Sequence, residues 1–284
     1  VISPEILQAV GAPVSYEHVA GGAISDAFRL TFSDGSSAIL KVCRTPDPPE
    51  DMFTAEAVGL KALKLDGTPR TPEVMAIGRQ YLCLEDLGTA SKKIDGYWER
   101  FGREVAHLHS HRSERFGFEI RNYLGRAPME NRWRSDGHEF FIETRLLTFL
   151  TFPLCEEYMT EKDRRSTERI CELIRTEIPE QGPCLLHGDL WFENTLAGPH
   201  GEPCFIDPAT YYGWPEAELS MAMQYPGIEP PFFDAYREVR PLLPGWERRL
   251  RLLQVRELLS MIAHYGDAYG TVHKLRALFD EFLA

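Results

Sequence analysis

Hydrophobic and polar positions along the 284-residue chain change their period near Leu87, and that change divides it. Before Leu87 apolar residues mostly alternate with polar ones, the pattern of half-buried strands. Strands are predicted over residues 18–20, 27–32 and 37–43, with Asp34-Gly35 as the tight turn between the last two. Two further strands are predicted over residues 74–76 and 81–84. Ser3-Pro4 reads as a helix cap and first helical position ahead of Ile6, Leu7 and Val10. A second helix is predicted over residues 54–65, after a loop carrying Pro46, Pro48 and Pro49. Beyond Gly88 the apolar spacing becomes helical, as in Trp98, Phe101, Val105 and Leu108, then Ile170, Leu173 and Ile174, and later Leu252, Leu259 and Ile262. Residues 184–207 form a non-helical island, in which short apolar runs at 195–197 and 203–206 flank Pro199-His200-Gly201 as a hairpin would. The predicted fold is therefore α+β and two-lobed. A small β-sheet lobe with one inserted helix spans residues 1–88, and a larger, mostly helical lobe spans residues 89–284.

Composition narrows the partners. With 31 basic and 43 acidic residues the net charge is −12. That argues against duplex nucleic acid or an anionic membrane as the main partner, because both reward clustered Lys and Arg. The cysteines (Cys43, Cys83, Cys155, Cys171, Cys184 and Cys204) show no metal-knuckle or redox spacing, so reduced thiols in a cytoplasm are expected. No signal peptide is expected from Val1-Ile2-Ser3-Pro4, and the apolar stretch 146–155 is too short to span a bilayer. A monomer is the expected state.

The island carries the chemistry. His187-Gly188-Asp189-Leu190-Trp191-Phe192-Glu193-Asn194, followed by Cys204-Phe205-Ile206 and Asp207, has the layout of a phosphotransfer site. Such a site needs one carboxylate, Asp189, to orient the attacking hydroxyl. It also needs an amide and a second carboxylate, Asn194 and Asp207, to hold Mg²⁺ against the nucleotide phosphates. Hard oxygen donors without nearby Cys or His favour Mg²⁺ over zinc. The first lobe supplies a nucleotide grip in the right order. Gly21-Gly22 would let backbone N–H groups approach phosphate oxygens. Lys41, charged within an otherwise apolar strand, requires an acidic partner or a phosphate. Glu56 on the following helix is that partner, and the backbone of Glu85, Asp86 and Leu87 would read the adenine edge. Paired glycines alone are more often only a turn, and a lone helix Glu is usually a surface residue. The set is what is specific. His107, His109 and His111 have structural or surface roles on this reading, since no Glu completes a zinc-protease pattern. Tyr211, Tyr212 and Trp214 read equally well as packing or as a wall for an acceptor sugar.

Together these residues resemble the fructosamine kinase (ketosamine 3-kinase) family, within the aminoglycoside phosphotransferase-like kinases. The His-Gly-Asp-Leu motif with Asn194 is shared with the whole group. Trp191, the string from Ile206 to Gly213, and Phe116-Gly117-Phe118 with Asn122-Tyr123-Leu124-Gly125 resemble the ketosamine kinases in particular. The resemblance runs from Gly21 to about Gly270. It implies ATP- and Mg²⁺-dependent phosphorylation of the 3-hydroxyl of a ketosamine, free or on a glycated protein lysine, and a part in repair of glycated amines. It also implies that Asp189 is the catalytic base, that Asn194 and Asp207 bind metal, that Lys41 and Glu56 grip phosphate, and that Trp191 belongs to the acceptor side.

The chain departs from the family pattern in two places and from the protein-kinase pattern in a third. Ala23 stands where some members carry a loop Cys, so no redox switch is expected there. Glu218 stands where Asp is frequent. Pro208 follows Asp207, and since proline restricts its predecessor, an extended, non-flipping Asp207 and a permanently active kinase are expected. Two alternatives remain: a kinase of the same fold for another hydroxyl, such as an aminoglycoside or choline, and a pseudokinase that only binds nucleotide.

Overall fold

Alternation in the first part of the chain builds the sheet. The computed structural model describes residues 2–21, 24–88 and 90–284, so Gly22 of the glycine turn and Ala23 lie outside the described residues. After α1 (Pro4–Ala9), capped by the Ser3 hydroxyl accepting from the Ile6 N–H, come β1 (Ser15–Gly21), β2 (Ser25–Thr31) and β3 (Ser37–Cys43). Helix α2 (Met52–Leu63), β4 (Val74–Gly78) and β5 (Tyr81–Glu85) follow. The strands pair antiparallel in the order β1-β2-β3-β5-β4. Helix α2 starts two residues earlier than predicted and stops two earlier.

Period-2 geometry decides what each face carries. Leu40 and Cys83 pack with Ile2, Ile6 and Val10 around α1. Leu82 and Leu84 pack with Met52, Phe53 and Leu60 of α2. Lys41, next to Leu40 and opposite Leu82 in the ladder, shares the α2 side with Leu82. On α2 Met52, Glu56 and Leu60 have helical spacing and share the face toward the sheet, so Glu56 is delivered to Lys41, while Leu63 packs into the core of the helical part.

The remainder is mostly helical: α3 (Tyr97–Leu108), the β6–β7 hairpin (Asn122–Leu124, Ala127–Met129), α4 (Gly137–Phe141), α5 (Pro153–Tyr158) and α6 (Glu161–Glu177). The island then forms β8 (Cys184–Leu186), β9 (Thr195–Ala197), β10 (Pro203–Phe205) and β11 (Tyr211–Gly213), with β9 paired to β10 as the hairpin pattern predicts and β11 paired to β8. Helices α7 (Pro215–Gln224), α8 (Pro230–Val239), α9 (Trp246–Leu253), α10 (Val255–Tyr265) and α11 (Thr271–Leu283) complete the chain. Helix α3 crosses α8 so closely that a Cβ on Gly102 would lie 2.1 Å from the Phe232 carbonyl oxygen, so only glycine fits. Among the described residues no helix is long and apolar enough to cross a membrane. All six cysteines are free thiols.

Two seams join the sheet to the helical part. Arg70, between α2 and β4, exchanges backbone hydrogen bonds with Pro203 (2.9 Å) and Phe205 (2.8 Å). Asp51, just before α2, accepts from Arg121 (2.7 Å) and from the Tyr123 hydroxyl (2.6 Å) at the start of the β6–β7 hairpin. Asn122 beside them donates to the Thr210 carbonyl at 2.7 Å. The Asn122-Tyr123 motif thus ties the Glu56 helix to the segment following Asp207.

Candidate active site

Lys41 is the centre of the first charged cluster. Its Nζ lies 2.7 Å from both Glu56 carboxylate oxygens and 2.7 Å from Asp207 Oδ1. Residues 41, 56 and 207 therefore meet, as their order along the chain implies. Burial works to lower the Lys41 pKa, but the Asp207 and Glu56 charges outweigh it and hold the ammonium charged. Glu56 is pushed up by burial, with the Asp207 charge adding to the rise and Lys41 opposing it. An isolated buried pair gains little net stability after desolvation, so two carboxylates on one lysine point to binding rather than to folding.

Asp207 corrects one expectation. Its φ is +55°, in the left-handed region, not the extended conformation expected before Pro208. Asp tolerates this region better than most residues, and such strain persists only where surroundings impose it. Here the Lys41 contact holds its side chain, while the Asn194 carbonyl takes the Ile206 N–H at 3.1 Å and the Ile206 carbonyl accepts from His187 Nε2 at 3.0 Å. The Asp207 side chain remains 45% exposed.

The second half of the site is the loop after β8. Asn194 Nδ2 donates to Asp189 Oδ2 (2.6 Å) and to the Asp189 carbonyl (2.9 Å), closing the Asp-to-Asn spacing into one turn. Burial pushes the Asp189 carboxyl up to about 7, with Glu257 adding and Arg256 and the Asn194 bond opposing. Asp189 keeps a partial opening to solvent. Gly188 has φ +85°, and a Cβ there would lie 2.0 Å from the Ala209 carbonyl oxygen, so the glycine of the motif is a steric requirement.

What holds this loop was largely missed in the sequence. Glu218 of α7, fully buried, accepts from the backbone N–H of Gly188 (2.6 Å) and His187 (3.1 Å). His109, at the end of α3, donates from Nε2 to the same carboxylate (2.9 Å), and its Nδ1 accepts from the Tyr236 hydroxyl (2.8 Å). Burial lowers the His109 pKa and keeps the ring neutral, so Nε2 carries its single proton. Burial alone would raise Glu218, but these hydrogen bonds outweigh it and keep it ionised. Glu218 therefore does the supporting work from a position where Asp is frequent. Arg256 of α10 donates to the Gly188 carbonyl (3.2 Å) and pairs with Glu257 (2.5 Å). Lys92 donates to the Phe192 carbonyl at 2.6 Å and sits 3.4 Å from the Phe192 ring centroid, bracing the turn that carries Asn194. Of these, Glu218 was marked only by the family position it occupies, and Arg256-Glu257 by being charged inside an apolar helical run.

At the end of the sheet, Asp86 accepts from Arg29 Nε (2.8 Å) and the Gly88 N–H (3.0 Å), and Glu85 pairs with Arg70. Leu87 is buried. The side chains of Glu85, Asp86 and Leu87 are thus committed to the protein. Gly21 pairs with Asp26 at the end of the β1–β2 ladder, where the glycine turn begins.

The acceptor wall needs revision. Trp191 is half-buried, with its ring 5.7 Å from that of Tyr225. Tyr211 is only 4% exposed, packed under the Arg145 guanidinium at 4.0 Å, and Trp214 is 2% exposed among Phe116, His138 and Phe141. Neither can present a face to a sugar, so the packing reading holds for both. Tyr212, on the opposite side of β11 from Tyr211, packs 6.0 Å from Trp133 and 6.4 Å from Phe118. The short strand β11 buries Tyr211 on one side and leaves Tyr212 half-buried on the other.

Asn194 and Asp207 offer one amide and one carboxylate oxygen, with no thiol or imidazole between them. That donor set fits Mg²⁺, which takes few protein ligands and completes its shell with phosphate and water.

The model of the family described as fructosamine kinase matches residues 2–283. A protein named as a ketoamine kinase in Enterococcus faecium is 32% identical over 263 residues, covering 89% of this chain and 90% of that one. A chloroplastic protein-ribulosamine 3-kinase of Oryza sativa subsp. japonica is 31% identical over 275 residues, covering 93% and 78%. A crystal structure described as a fructosamine-3-kinase of Thermobifida fusca superposes with a TM-score of 0.86 at 30% identity, over 97% of each chain. The fold is thus the two-lobed, protein-kinase-like α+β fold.

Proposed function

The chain belongs to the fructosamine kinase family, and from that premise we propose that it transfers the γ-phosphoryl group of ATP to the 3-hydroxyl of a ketosamine, free or on a glycated lysine. Asp189 aligns the acceptor hydroxyl and takes its proton late in the transfer, since the phosphoryl transition state is loose. Lys41, oriented by Glu56, grips the α- and β-phosphates. The backbone of residues 85–87 takes the adenine edge, and Gly21 and Gly22 serve the phosphates. Asn194 and Asp207 would hold Mg²⁺, which would supply neutralisation of charge on the phosphate oxygens. Trp191 stands on the acceptor side. Residues 1–88 serve as the nucleotide lobe and 89–284 as the catalytic and acceptor lobe. We place the enzyme in the cytoplasm as a monomer, in repair of glycated amines.

The observation that supports this most is the meeting of Lys41 with Glu56 and Asp207 at 2.7 Å, beside an Asp189–Asn194 turn closed at 2.6 Å. The test is ADP release with fructosyl-, ribulosyl- and erythrulosyl-amines, set against an aminoglycoside and choline. Turnover of the ketosamines with phosphate on O3 is expected; turnover of only the aminoglycoside or choline would overturn the reading.

A further inference from the structure

Helix α2 is shared between two cores. Met52, Phe53 and Leu60 pack with Leu82 and Leu84 of the sheet, whereas Leu63 lies in the core of the helical part, with Val58 and Ala62 against it. Glu56 and Gly59 stand three residues apart, so they are neighbours on the helix surface. Asp207 and Thr210 also stand three apart, along the segment that α2 meets. Two contacts therefore cross from α2 to that segment. Lys41 bridges Glu56 and Asp207, 2.7 Å from each. One turn on, Gly59 rests against Thr210 and Pro208.

The second contact has no slack. A Cβ on Gly59 would lie 2.9 Å from Thr210 Oγ1, 3.3 Å from Thr210 Cβ and 3.4 Å from Pro208 Cγ. All three are shorter than the roughly 3.5–4.0 Å at which packed carbon atoms attract best. Thr210 cannot retreat. It is only 1% exposed, and its carbonyl accepts from Asn122 Nδ2 at 2.7 Å. On one side of it the Ala209 N–H donates to the His187 carbonyl at 2.9 Å, and on the other Tyr211 pairs with Leu186 in the β11–β8 ladder. An added methyl must therefore push α2 away, and α2 carries Glu56. Close-packed interiors transmit such a shift rather than absorb it.

We propose that Gly59, seated on Thr210, is a positioning residue: it sets how closely α2 approaches residues 208–210 and so brings Glu56 to Lys41 and Asp207. This rests on the kinase reading above, in which that cluster grips the phosphates of ATP. Gly59→Ala is expected to lower kcat/KM for ATP about tenfold, with KM for fructosyl-propylamine unchanged. If Gly59 acts through Glu56, the same substitution made in Glu56→Gln should change kcat/KM by less than about twofold, since the side chain it misplaces has already lost its charge. The Thr210 hydroxyl makes no hydrogen bond among the described residues, so Thr210→Ala removes the obstructing oxygen without breaking one. Added to Gly59→Ala, it should recover about threefold of the loss. Should Gly59→Ala alone not fold, the double variant carries the comparison with Glu56→Gln. Wild-type kcat/KM in Gly59→Ala, or equal losses with and without the Glu56 carboxylate, overturns the proposal and leaves the kinase reading standing. Failure of the wild-type chain to phosphorylate fructosyl-propylamine overturns the ketosamine reading alone; the same variants are then compared by their affinity for ATP in titration calorimetry, with the same outcomes deciding.

Discussion

Two regions meet around residues 187–207 and are built on opposite principles. The Lys41–Glu56–Asp207 cluster joins sheet to helical part through charge, with two carboxylates on one ammonium and Asp207 still open to solvent. The Glu218–His109–Tyr236 network beneath the catalytic loop is sealed, and its one charge is spent on backbone N–H groups and a neutral imidazole. On the proposed function the first exchanges partners when phosphates arrive. The second cannot, because each donor it lost would be left unpaired in the interior. Binding groups are thus kept exchangeable while the loop that aims Asp189 is kept rigid.

Substitution should separate the two. Lys41→Met is expected to lower kcat/KM for ATP by roughly 10³-fold, because it removes a cation aimed at the phosphates. Steady-state kinetics checks this, and the unfolding midpoint should move much less than the activity. Glu218→Ala should do the reverse. It strands two backbone N–H groups and His109, and is expected to cost about 3 kcal/mol in urea unfolding. Its kcat should fall while KM for ATP changes little. Equal stability losses in both variants would erase the distinction.

A smaller effect sharpens it through pH. With its carboxyl raised to about 7, Asp189 is protonated at lower pH and cannot accept the hydroxyl proton, so kcat/KM should fall as pH drops below about 7. The stability sign follows. Folding favours the protonated form of Asp189, so its contribution to stability is present below the unfolded value near 4 and is lost as pH rises towards 7. Asp51 at the α2 seam behaves oppositely. The Arg121 hydrogen bonds hold it down at about 2, so its contribution is present above the unfolded value and is lost as pH falls through about 2. The smallest expected effect is therefore an acid-side destabilisation, seen by circular dichroism, that Asp51→Asn removes.

The cluster that exchanges partners was legible in the sequence, and the sealed network was not. Lys41 stood out as a charge in an apolar strand, Glu56 lay on the next helix, and Asp189, Asn194 and Asp207 shared one island. Period-2 alternation also placed the five strands of the sheet. Glu218, His109 and Tyr236 come from α7, α3 and α8, and their meeting is a property of helix packing that no local spacing carries. Tyr211 and Trp214 looked available because they follow Asp207, yet both are buried in the helical part. The left-handed Asp207 was hidden because local preference before proline is extended, and tertiary contacts override it.

The central claim is that this site phosphorylates O3 of a ketosamine through Asp189. The most direct measurement is the turnover of fructosyl-propylamine by the wild-type chain and Asp189→Asn, with the phosphate position assigned by two-dimensional phosphorus–proton NMR. The account predicts a single product carrying phosphate on O3, and a kcat for Asp189→Asn lower by roughly 10²-fold or more with nucleotide binding retained. Phosphate on another hydroxyl, or normal turnover by Asp189→Asn, would contradict it.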